Sequence, residues 1–337
     1  MRAWLPRRAT PLCHEAFLST RVLSTRPIQC RPLSRTACAR TRAQDARVRD
    51  IGRKIKDDYA YIRDHYTAPK YPIVLAHGLL GFSELRLPGL PTIHYWHGIK
   101  EALTAQGARV MTTSVPPSGS IGDRAAKLAD EIAAQHAGPV NIIAHSMGGL
   151  DARYMISKMA AQTQRAAGRI QVASLTTVST PHRGSPFADY VLRSSSGIMY
   201  LPRLYSVLER AGLGTRAFAQ LTTEYMTGTF NRDVVDDDKV RYFSYGAVMD
   251  PPPLLSPFRL PMSIVERSQG ANDGLVSVES SRWGVYQGTL LGVNHLDLIN
   301  WSNRVRWMVK RWMGVRRGFN AVAFYLGVAD MLAKEGL

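Results

Sequence analysis

Ser146 stands where a run of β-branched residues stops. Val140-Asn141-Ile142-Ile143-Ala144 leads into His145-Ser146-Met147-Gly148-Gly149, and a helix-like stretch, residues 150–159, follows at once. A serine between a buried strand and a helix is the layout of a turn that lifts a hydroxyl clear of a sheet edge. Such a turn needs small residues two before and two after the serine, and Ala144 and Gly148 hold those places. Glycine is commoner at the first of them, and the methyl of Ala144 is a mild departure. The amide of Met147 opens the helix beside the hydroxyl, placed to donate to an oxyanion.

A nucleophilic serine needs a base, a carboxylate and a second amide donor. Upstream, the strand-like residues 71–76 run into His77-Gly78-Leu79-Leu80-Gly81-Phe82. Gly78 lets the backbone approach a reacting carbonyl, the amide of Leu79 becomes the second donor, and His77 reads as a hydrogen-bonding prop for that loop. Downstream, Gln269-Gly270-Ala271-Asn272-Asp273-Gly274 puts one carboxylate in a tight turn after the strand-like residues 261–266. A last strand, residues 289–293, then delivers Asn294-His295-Leu296-Asp297. In this scheme His295 takes the proton of Ser146 and returns it to the leaving group, while Asp273 fixes the imidazole tautomer. Asp297, only two residues from His295, reads as a structural partner of the histidine loop. Asp236, Asp237 and Asp238 read as a solvated run. His145 points away from Ser146 into neighbouring structure, because successive strand residues face opposite ways. His94, His97 and His182 fit either the cleft or ordinary polar roles. No histidine pair has zinc spacing, and we expect neither metal nor cofactor.

The elements that must carry these residues alternate. Strand candidates cover residues 73–76, 109–114, 140–144, 172–178, 241–245 and 290–293, and residues 124–136 set Leu128, Ala129, Ile132 and Ala133 on one helical face. Alternation of this kind predicts an α/β fold, a doubly wound, mostly parallel sheet covered on both faces. Residues 46–70 read as a linker and leading helix (Ile51, Ile55, Tyr59, Ile62), and residues 71–337 as the catalytic domain. Within it, residues 185–229 are too apolar for a solvated loop, with Phe187, Tyr190, Leu201 and Leu208 among them. They form either a lid over an acyl-chain cleft or a helical subdomain packed permanently on the sheet.

Together these segments resemble the α/β-hydrolase triacylglycerol lipases, above all the fungal mitochondrial type and more distantly the true lipases of Gram-negative bacteria. The resemblance spans about residues 71–310 and rests on Ala76-His77-Gly78-Leu79-Leu80-Gly81-Phe82, Ala144-His145-Ser146-Met147-Gly148-Gly149, Ser179-Thr180-Pro181-His182-Arg183-Gly184-Ser185, Asn272-Asp273-Gly274-Leu275-Val276 and His295-Leu296-Asp297. It implies Ser146, Asp273 and His295 as the triad, with Leu79 and Met147 as oxyanion donors and an acylglycerol as substrate. The bacterial relatives also bind a structural calcium through two aspartates. Asp297 falls at one of those positions and only Asp250, ahead of three prolines, is near the other, so we expect no such ion. Phospholipid deacylation and acyl transfer would pass through the same acyl-enzyme. A catalytically silent lipid-binding protein is the further alternative, and the complete residue set argues against it.

Charge and cysteine set the remaining bounds. The 337-residue chain has a formal net charge of +17. Residues 1–50 hold eleven arginines, no lysine and three acids, and no apolar run long enough for a secretory signal. Residues 1–45 therefore read as a mitochondrial presequence, against the alternative of a disordered basic arm. All three cysteines (Cys13, Cys30, Cys38) lie there. No segment has the length of a membrane span, and residues 321–333 read as a C-terminal amphipathic or docking helix. The excess of cations predicts peripheral contact with anionic membrane lipids. Scattered basic residues without a reader motif argue against nucleic acid.

Overall fold

The computed structural model describes residues 51–79, 84–85, 93–117, 119–159, 170–194, 215–254, 256–300 and 319–337. The leader, residues 1–45, and the middle of the proposed cap, residues 195–214, lie outside them. Seven strands form one sheet in which every neighbouring pair is parallel: β1 (Lys54–Ile55), β2 (Ile73–Ala76), β3 (Val110–Thr112), β4 (Gly138–His145), β5 (Ile170–Val178), β6 (Arg241–Val248) and β7 (Val285–Leu291). Their spatial order is β1-β7-β6-β5-β4-β2-β3. A separate antiparallel pair joins Glu84–Leu85 to Ile93–His94.

A parallel sheet buried on both faces needs apolar residues at consecutive positions, and β2 shows why. Ile73 and Leu75 face one core, shared with helices α1 (Ile99–Ala105) and the C-terminal Ala321–Lys334. Val74 and Ala76 face the other, shared with α2 (Ile121–Gln135) and α3 (Gly148–Tyr154). Ser120 starts α2 through a reciprocal capping box with Asp123. Helix α3 runs on into a π-helical turn at Met155–Met159.

Four expectations need correction. Residues 261–266 are not a strand but the middle of α4 (Arg259–Gln269). Pro261 and Val265, four apart, are buried while Glu266 is exposed, which is helical spacing. Pro261 sits in the first turn, where its missing N–H leaves no bond unmade. Among the described residues 51–70 there is no leading helix either. Ile55 is buried as part of β1, whereas Ile62 is 51% exposed and closes no apolar stripe. The last strand begins at Val285 and stops at Leu291, because Gly292 takes φ +72 and turns the chain. Finally, the C-terminal helix, α5 (Ala321–Lys334), is buried almost all round, as a core helix is. Among the described residues, no helix is long and apolar enough to cross a membrane.

Candidate active site

Ser146 follows β4 directly, at φ +55. A left-handed serine costs about 1–3 kcal/mol, so the surroundings must hold it. Its amide donates to Val178 O at 3.0 Å, and its carbonyl accepts from Thr180 Oγ1 at 2.7 Å and Gly149 N at 3.1 Å. The small neighbours are explained by crowding. A Cβ on Gly148 would meet His77 O at 2.6 Å, and one on Gly149 would collide with Thr180 Oγ1.

Asp273 and His295 meet from separate loops. Asp273 is fully buried, and its Oδ1 accepts from the amides of Leu275 (3.0 Å) and Val276 (2.8 Å). Its Oδ2 receives the Nδ1–H of His295 at 2.7 Å, and its carbonyl receives the His295 amide at 3.0 Å. With Nδ1 committed, Nε2 is the nitrogen left to accept a proton. Ser146 Oγ makes no hydrogen bond to His295 among the described residues. The ring of His145, next to Ser146 in the chain, lies 4.5 Å from the His295 ring. Catalytic hydrogen bonds are often long in free enzymes and tighten with substrate bound.

The two expected oxyanion donors are available. Neither the amide of Leu79 nor that of Met147 donates to any described residue. Gly78 lies against the serine, for a Cβ there would come within 2.7 Å of Ser146 Cβ. The loop is clamped by residues the motifs did not reveal. Arg124, fully buried, donates to the carbonyls of His77 (3.0 Å), Gly78 (3.1 Å) and Pro116 (2.7 Å). It is paired with buried Asp151 at 2.7 Å. His77 Nδ1 donates to Gly78 O at 3.1 Å, and its Nε2 accepts from Val115 N at 3.1 Å. Burial and the Arg124 charge hold the His77 ring neutral, its pKa lowered to about 4. In a trans peptide the C=O and N–H point opposite ways. Fixing Gly78 O on Arg124 and His77 therefore turns the Leu79 N–H the other way. The sequence does carry a signal for Arg124: it lies one turn before Leu128 and two before Ile132, on the apolar face of α2.

The other singled-out residues take structural places. The segment 179–185 is a crossroads: Thr180 supports the serine turn, Arg183 Nη1 donates to the carbonyls of Glu279 and Arg282, and Ser185 Oγ donates to Leu275 O on the acid loop. His182 is buried, bonded to Thr177 Oγ1 at 3.0 Å and stacked on Trp283, away from any cleft role. Asp236 is not merely solvated, since it accepts from Trp283 Nε1 at 2.8 Å and pairs with buried Arg153 at 3.6 Å. Asp297 accepts from the amide of Asn294 at 3.2 Å, in the turn that follows the histidine. His97 offers its carbonyl to Asn300, and the His94 side chain lies outside the described residues. Among the described residues no three His, Cys, Asp or Glu side chains converge as a metal site.

Comparison with known proteins gives the family. Residues 105–249 match the family model "Putative serine esterase (DUF676)". The chain is 37% identical over 327 residues to Triacylglycerol lipase 2 of Saccharomyces cerevisiae, an alignment covering 83% of this chain and 96% of that one. It is 29% identical to a triacylglycerol lipase of Burkholderia plantarii, over 72% of this chain and 82% of that one. In fold it is similar to the crystal structure of Staphylococcus hyicus lipase, with a TM-score of 0.59, 18% identity and coverage of 81% and 98%. A serine at the head of a parallel sheet, an aspartate–histidine pair on later loops and a yeast relative matched over 96% of its length lead to one assignment: the chain belongs to the triacylglycerol lipase family of α/β-hydrolases.

Proposed function

We propose that the protein hydrolyses the carboxylic esters of acylglycerols through an acyl-enzyme on Ser146. The observation that carries this reading is the His295–Asp273 bond at 2.7 Å, with the His295 ring 4.5 Å from that of His145, the residue before a serine held at φ +55. His295 Nε2 removes the proton of Ser146 as Oγ attacks the ester carbonyl. The amides of Leu79 and Met147 receive the oxyanion, and removing one such donor typically costs about 10²–10³ in rate. His295 then protonates the departing alcohol, and water repeats the sequence to release the fatty acid.

Covalent labelling by a serine-directed phosphonate, with Ser146→Ala as control, tests the mechanism. Equal labelling of both proteins would defeat it. A panel of triacylglycerol, phosphatidylcholine and cardiolipin, each with and without an acceptor alcohol, separates the lipase from a phospholipase or an acyltransferase.

The arginine-rich, acid-poor residues 1–45 support a mitochondrial presequence, and the net charge of +17 supports peripheral binding to anionic lipid. Import of a fluorescent fusion of the leader tests the first. Equal affinity for neutral and anionic vesicles would defeat the second.

A further inference from the structure

Tyr95 is buried, and its phenolic oxygen has two partners. It accepts from the amide of Gly78 at 3.0 Å and lies 2.7 Å from His145 Nδ1. A phenol has one proton. When the oxygen accepts from Gly78 and donates to Nδ1, the phenolic oxygen and Nδ1 are both satisfied, and His145 carries its own proton on Nε2. That Nε2 is buried with no partner of ordinary geometry. Its ring lies 4.5 Å from that of His295, at 44°. Burial, and the neighbouring His295, push the His145 pKa well down. One hydroxyl thus touches the loop that carries the Leu79 donor on one side. On the other it touches a neutral ring laid against the catalytic imidazole.

We propose that Tyr95, acting through His145, is a positioning residue that couples the oxyanion loop to His295. The pair keeps the Gly78 amide satisfied, so that this peptide does not turn to seek another acceptor. It also sets an uncharged ring against His295, so the imidazolium formed during attack meets no like charge there. The proposal rests on the esterase reading. Ser146→Ala tests that reading separately, because an active Ser146→Ala enzyme would remove it whatever Tyr95 does.

Tyr95→Phe keeps the aromatic contacts with Trp96 and His77 and removes only the hydroxyl. An indirect loss of donor alignment is expected to lower kcat by about tenfold or more, at the low end of a deleted oxyanion donor, with KM within about threefold. His145→Gln is expected to lower kcat as well, and the double variant to fall no further than the worse single one, as for residues acting as a unit. In the wild-type protein, nitrogen NMR of the imidazoles should show His145 neutral and protonated on Nε2 from pH 5 to 8. The proposal is overturned by a folded Tyr95→Phe enzyme with kcat within about twofold of wild type, by multiplicative losses in the double variant, or by a His145 ring that is charged or protonated on Nδ1. The NMR measurement keeps the test decisive should either variant fail to fold.

Discussion

Replacing Arg124 by methionine keeps the volume of the side chain and removes its donors. The variant leaves Asp151 buried without its counter-ion, takes the Arg124 donor from the carbonyls of His77 and Pro116, and leaves Gly78 O held by His77 Nδ1 alone. Breaking a buried ion pair from one side costs about 3–5 kcal/mol, which lowers the melting temperature of a domain this size by about 10 °C. Burial already raises the Asp151 pKa to about 6 against the pull of Arg124. Without the arginine the carboxyl takes up a proton more readily, so the destabilisation should ease as pH falls from 8 to 5. Adding Asp151→Ala removes the stranded carboxylate and is expected to return much of the lost stability. It does not re-clamp Gly78 O, so kcat should stay depressed, by up to the 10²–10³ of a missing oxyanion donor. The assay is calorimetric melting beside ester hydrolysis for the wild type, the single and the double variant. A double variant that regains wild-type kcat together with its stability would refute the idea that Arg124 aims the Leu79 amide.

Gly78→Ala should abolish hydrolysis while the protein stays folded, since its Cβ would lie 2.7 Å from Ser146 Cβ; circular dichroism and activity together check this. Arg153→Met should loosen the chain around Asn231, because Arg153 holds Asn231 Oδ1 at 2.9 Å and lies 3.6 Å over the Trp283 ring. Faster proteolysis around residues 226–236 is the expected result, and an unchanged cleavage pattern would count against it. Stability should fall as pH drops below about 6.5. His77, His145 and His182 are all depressed by burial, and each must gain a proton in the unfolded chain before it does in the folded one. For His77 the stabilisation is complete above pH 6.5 and disappears as pH falls toward 4. The raised Asp151 works in the opposite sense between about pH 4 and 6 and offsets roughly one histidine. Melting temperatures across pH 4–8 that rose on acidification would contradict the sum.

The serine, acid and histidine loops are legible in the sequence because each is local: a few consecutive residues define a turn whatever surrounds it. Arg124 is half legible, as a charge in phase with an apolar stripe. Tyr95 is not, since its partners lie 17 and 50 residues away along the chain and nothing near it changes pattern. The misread elements fail for a shared reason. Ile55 and Tyr59 are four apart and both sheltered, yet one pairs in the sheet and the other packs on Phe324. Residues 261–266 carry a proline and several apolar side chains that suit either period until burial picks one.

The first strand has a consequence for how the chain assembles. Strand β1 pairs at Lys54 and Ile55 with Thr289 and Leu290 of β7. Closing so wide a loop for two residue pairs wins little until the rest of the sheet has formed, and contacts of such long range come late in folding. Strand β1 is therefore the part of the sheet attached last. Among the neighbouring pairs of the described sheet this is the shortest, so unravelling from β1 inward would begin at a seam of only two residue pairs.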